Sequence, residues 1–88
     1  RDYRIFRSGG SIKAVQVIAL EPPFLQVREL GAVLTELLGT DQYRTATREQ
    51  KDGFTLEHAM VDKGAELLLY RVSPGGVEMR AFVLVMGN

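Results

Sequence analysis

His58 is the single histidine of this 88-residue chain, and there is no cysteine. Those two facts decide most of the site chemistry. Thiol catalysis, disulfide frameworks and cysteine-ligated metals are excluded, and one imidazole cannot build a multi-histidine metal site. An imidazole placed between Leu56 and Met60 could act as a general base if a nucleophile stood within reach. Ser8, Ser11 and Ser73 all fall among turn residues, where serine is expected for its local hydrogen bonding. No catalytic residue, metal site or cofactor is therefore assigned. His58 is expected to be structural, with Thr47 as its neighbour across the sheet.

The remaining polar candidates are arginines and their carboxylate neighbours. Arg71, Glu78 and Arg80 flank the Pro74 turn, where a solvated strand end is the plain expectation. The sharper alternative is a pair of guanidinium groups bracketing a carboxylate or phosphate. His58, Arg71 and Arg80 together form the possible ligand-binding set. Arg44 and Arg48 alternate along one strand beside Tyr43, a pattern that could suit a nucleic acid. Against that, 11 basic residues are balanced by 11 acidic ones. A neutral chain has no bulk attraction for nucleic acid or an anionic membrane, so neither is expected as a partner. Charges that keep a strand edge from pairing are the better account of Arg44 and Arg48. Glu57 and Tyr70 form an expected cross-strand pair of ordinary structural type. Gly9-Gly10 lacks the glycine spacing, lysine and following helix of a phosphate loop.

These residues must be positioned by a small scaffold. Hydrophobic residues make up 45% and charged residues 25%, an ordinary globular profile that fits one domain over residues 1–88. No apolar run approaches the length of a membrane helix, and a soluble chain is expected with its compartment left open. The chain starts at Arg1, so it is expected to be a processed or excised piece of a longer one.

Residues 3–7 and 12–20 are rich in β-formers and flank Gly9-Gly10, the signal of a hairpin. Pro22-Pro23 ends the second run and suits a helix start. Phe24, Val27, Leu30, Leu34, Leu37 and Leu38 then recur at helical spacing, which predicts an amphipathic helix from about Pro22 to Leu38 with Gly39 as its cap. Gly31 in mid-helix predicts a close approach to the sheet. Four strands follow, at 42–50, 54–61, 65–73 and 77–86, divided by Asp52-Gly53, Lys63-Gly64 and Pro74-Gly75-Gly76. For the first of them, a short helix capped by Asp41 is the alternative. The expected order is β-β-α-β-β-β-β, an α+β fold with one helix on a mostly antiparallel, roll-like sheet. Cystatin-like folds are the nearest architecture in topology, without any shared sequence motif.

Short turns also predict registers. They place Arg48 opposite Glu57, Thr47 opposite His58, Met60 opposite Leu67, His58 opposite Leu69, Glu57 opposite Tyr70, Tyr70 opposite Met79 and Arg71 opposite Glu78. One sheet face then carries Phe54, Leu56, Met60, Leu67, Leu69, Phe82, Leu84 and Met86. The other carries Ala59, Val61, Leu68, Tyr70, Val72, Val77, Met79, Ala81, Val83 and Val85. Both are apolar, yet one helix covers only one of them. The second face must curl on itself, take the N-terminal hairpin or meet another chain. Tyr70, Val72, Val77, Met79, Ala81 and Val83 are the expected interface. The expected function is a non-enzymatic interaction or assembly module, using an apolar sheet face or an edge strand against a second copy or another protein chain. The alternative is a small-molecule-binding domain or small enzyme, with a pocket between helix and sheet around His58.

Overall fold

A computed structural model describes residues 1–73 and 76–87. The elements run β1 (Asp2–Ser8), β2 (Ser11–Ile18), β3 (Leu25–Gln26), α1 (Val27–Leu38), β4 (Tyr43–Lys51), β5 (Phe54–Val61), β6 (Glu66–Arg71) and β7 (Glu78–Val85). One antiparallel sheet holds all the strands, in the order β1-β2-β7-β6-β5-β4. The N-terminal hairpin joins this sheet edge to edge, through β2 on β7. It extends the sheet and does not fold over either face.

α1 begins at Val27, five residues later than proline placement predicts. Leu25 and Gln26 instead pair with Met79 and Glu78 as the short strand β3, filling the edge of β7 that β2 leaves open. The Glu29 carboxylate accepts the Gln26 N–H at 3.4 Å and an Arg1 guanidinium at 2.8 Å. An acidic group in the first turn also suits the helix dipole. At the other end Gly39 takes φ 75°, and its N–H donates to the Thr35 carbonyl. A left-handed C-cap of this kind favours glycine because a Cβ would be strained there. Gly31 does not approach the sheet. A Cβ there would meet Asp41 at 3.7 Å, an ordinary contact.

The core lies between α1 and one face of the sheet. Leu30, Leu34 and Leu38 of the helix meet Val15, Val17, Leu67, Leu69, Phe82 and Leu84 of the strands. Phe24 is only partly buried and Val27 is exposed, so the packed stripe is Leu30-Leu34-Leu38.

The β4–β5 register is as the sequence predicts, with Arg48 opposite Glu57 and Thr47 opposite His58. The β5–β6 register is not. The connection is a single 3-10 turn at Asp62–Gly64, with Lys63 at φ 67° and Gly64 at φ 75°. His58 therefore faces Leu68, and Met60 faces Glu66. A slip of one residue exchanges faces. Ala59 and Val61 go to the helix side, while Phe54, Leu56 and Met60 go to the outside. A bulge at Arg80 shifts β7 as well, so that Arg71 faces Met79 and Tyr70 faces Ala81.

Candidate functional site

His58 sits on the outer face of β5, between Thr47 of β4 and Leu68 of β6. Its Nε2 is 3.4 Å from the Glu66 carboxylate, at a half-exposed position. Arg71 points to the opposite face and is nearly buried. Arg80 lies at the β7 bulge, donates to the Leu20 carbonyl at 3.1 Å and stacks on the Phe24 ring at 4.9 Å. Guanidinium over an aromatic face is a stabilising arrangement in its own right. The three residues do not share a site. No pocket between helix and sheet can include His58, because the sheet stands between them.

The helix-side face instead holds a polar cluster around Glu57. Its side chain is 1% exposed. Arg71 Nε donates to one carboxylate oxygen at 2.6 Å, and the Thr45 hydroxyl donates to the other. Arg48, across the strand pair, has its Nε 3.7 Å away. Arg71 also donates to the Gly76 carbonyl at 2.8 Å and to the Tyr43 hydroxyl at 3.3 Å. Burial pushes the Glu57 carboxyl upward. The hydrogen bonds from Arg71 and Thr45, with the charges of Arg71 and Arg48, outweigh it and hold Glu57 below the usual carboxylate range. Burial likewise opposes the charge on Arg71, and the contacts with Glu57 and Tyr43 outweigh it and raise Arg71. Glu57, Arg71 and Thr45 are turned inward on one another, while the Arg48 side chain is largely exposed. Among the described residues no buried side-chain polar atom lacks a hydrogen-bond partner. At 1% exposure the Glu57 carboxylate is closed off from solvent, and the cluster joins β4, β5 and β6.

Two open clefts flank α1. One, of about 490 Å³, lies toward β4 and is lined by Val27, Gly31, Thr35, Asp41 and Tyr43. The other, of about 430 Å³, lies toward the hairpin and is lined by Tyr3, Ile5, Ile12, Val33 and Leu37. Among the described residues no three His, Asp or Glu side chains converge as a metal site would need. No helix of the described residues is long and apolar enough to cross a membrane.

The outer face of the sheet is the larger feature. Cross-strand pairing puts Phe6, Ala14, Ile18, Ala81, Val83, Val85, Tyr70, Leu68, Leu56 and Met60 on it. Phe54 and Tyr70 touch there, with ring centroids 5.7 Å apart. None of these residues is fully buried, whereas the facing set on the helix side is. Of the six residues the sequence nominates as an interface, Tyr70, Ala81 and Val83 lie on this face. Val72 and Val77 lie in the β6–β7 connection, with Val77 exposed. Met79 is corrected: the bulge turns it to the helix side, where it is completely buried beside Leu25. Phe6, Ala14 and Ile18 escape a sequence reading because their place depends on β2 pairing with β7, strands distant in the chain. No family model, curated protein or solved structure matches the chain.

Proposed function

We propose that the chain is a non-enzymatic assembly module that docks another protein chain on the outer face of its sheet. The observation that carries this reading is the position of α1. The only α-helix among the described residues covers one face, and five strands present apolar side chains on the other. An antiparallel sheet wetted on one side ordinarily alternates apolar with polar residues. Here Leu68, Ala81, Val83 and Ile18 adjoin as an apolar centre; Gln16, His58 and Glu66 border it on the inner strands, and Asp2, Arg4, Arg44, Glu49 and Lys51 lie toward the two edges. An apolar centre inside a polar rim is the usual anatomy of a protein interface. Zero net charge adds no long-range repulsion between copies.

Val83→Glu or Ala81→Glu tests the reading by placing a charge at the centre of that face. Each variant is expected to keep the wild-type circular dichroism and to sediment as a monomer, while wild type forms a larger species as concentration rises. A wild type that stays monomeric at every concentration and binds no hydrophobic dye would overturn it.

A further inference from the structure

The two edges of the sheet are unlike. β4 carries Arg44, Arg48, Glu49 and Lys51 and has a bulge at Ala46, both devices that discourage a further strand. β1 also carries charges, at Asp2, Arg4 and Arg7, but it has no extra residue of its own: where its register with β2 shifts, at Phe6/Arg7, the extra residue is Lys13 of β2. It is seven residues long and exposed throughout. Tyr3 is 62% exposed, Ile5 51% and Phe6 49%. Its partner β2 satisfies one side of its backbone, and among the described residues no strand lies on the other side.

We infer that β1 pairs antiparallel with β1 of a second copy, about a two-fold axis through Ile5. Geometry restricts the choice. If both helices lie on the same side of the joined sheet, residues opposite each other must share a face, so the axis falls on a residue and not between two. An axis at Arg4 sets two arginines against each other. An axis at Phe6 leaves part of the strand unpaired. At Ile5, the midpoint of Asp2–Ser8, every residue of the strand finds a partner. Ile5 meets Ile5, Arg4 meets Phe6, Tyr3 meets Arg7, and Asp2 meets Ser8. The pairs are one aliphatic contact, four arginine–aromatic contacts counted over both copies, and polar ends. Each is favourable across a strand pair, and no like charges stand opposite. About six to eight backbone hydrogen bonds would close the open edge. The Ile5 pair would also wall the apolar groove between the hairpin and α1, which Tyr3 and Ile5 line. This use of an edge goes beyond docking on the outer face, and either can fail without the other.

A cysteine scan tests the register directly, since the chain has no thiol of its own. Opposed residues in an antiparallel pair have Cα atoms about 4.5–5.5 Å apart, within the roughly 4.4–6.8 Å that a disulfide spans. Ile5→Cys faces itself across the axis. Tyr3→Cys and Ser8→Cys face Arg7 and Asp2, so their own thiols stand far apart. Mild oxidation should convert Ile5→Cys to a covalent dimer at least roughly tenfold faster than either control. Ile5 is exposed, so circular dichroism should show all three variants folded. A folded Ile5→Cys that cross-links no faster than Ser8→Cys overturns the inference. Adding Val83→Glu separates it from face docking. If Val83→Glu abolishes the Ile5→Cys cross-link, the copies meet through their faces and the edge pairing is wrong. A cross-link untouched by Val83→Glu supports the edge. If wild type then also keeps the same mass with and without Val83→Glu, face docking between copies is the reading that fails.

Discussion

Arg71→Met should be among the most damaging single changes outside the apolar core, and its cost should depend on pH. The substitution keeps the side-chain length but removes the guanidinium that donates to Glu57 at 2.6 Å. Glu57 is left 1% exposed, with the Thr45 hydroxyl and a distant Arg48 as its remaining partners. Removing one partner of a buried ion pair typically costs about 3–5 kcal/mol, because the other charge stays behind. Proton uptake sets an independent ceiling. Placing a proton on a glutamate of ordinary pKa, about 4.3, costs about 3.7 kcal/mol at pH 7 but only about 1 kcal/mol at pH 5. The neutral acid can stay buried more cheaply than the ion, so the variant should lose about 3 kcal/mol at pH 7 and roughly a third of that at pH 5. The sign follows from the wild type as well. Glu57 is held below its usual range there, so its stabilisation is present at neutral pH and is lost as pH falls through the folded value. In the variant Glu57 is pushed upward, and acid relieves it. Arg71 itself stays charged throughout, since it is raised. Urea unfolding of both proteins at pH 7 and pH 5, with Glu57→Gln/Arg71→Met to close the cycle, measures the effect. A loss under 1 kcal/mol at pH 7, or one that does not shrink in acid, would refute the buried pair.

Other substitutions test the layers around it. Leu34→Ala should cost about 2–5 kcal/mol, because Leu34 is completely buried under α1, while Thr35→Ala on the exposed side should change urea stability by less than about 0.5 kcal/mol. His58→Gln should leave the fold intact by circular dichroism, since His58 is half-exposed and its Nε2 meets the exposed Glu66 carboxylate at 3.4 Å. Phe82→Glu, beside Val83 in sequence, should unfold the chain, because Phe82 is completely buried; a folded, dissociated Phe82→Glu would mean the faces are assigned backwards.

The sequence carries the elements well and their pairing less well, for physical reasons visible at particular residues. Helical spacing from Leu30 to Leu38 and the glycine at position 39 are local signals, and the helix ends where they say. The helix start is not local. Pro22-Pro23 is compatible with a first turn, but Leu25 and Gln26 are taken by Met79 and Glu78, more than fifty positions away. The β4–β5 turn, Asp52-Gly53, is a strong two-residue signal and its register is legible. Lys63-Gly64 reads the same way but is not the same turn. A non-glycine residue, Lys63, accepts a left-handed conformation there, and the turn gains Asp62. That one residue moves Leu56 and Met60 to the outside and Ala59 to the core. The sequence therefore shows two apolar faces correctly while mixing their members.

The site is legible to a lesser degree, because its two parts depend on contacts of different range. Arg48 opposite Glu57 is a neighbouring-strand pair, and charge alone suggests it. Arg71 reaches the same carboxylate only because β5 slips by one residue, which brings Thr55 opposite Arg71 and sets Glu57 beside Leu69. A sequence reading instead leaves Arg71 near Arg80 and Glu78, as a surface group. The buried Glu57 carboxylate thus joins three strands. The surfaces we propose for recognition are the open edge of β1 and the outer face that continues from it through Phe6, Ala14 and Val85. These two are continuous, since Phe6 belongs to both. Pairing at β1 would lay two outer faces side by side as one sheet of double width, and a chain docking there would meet both copies at once.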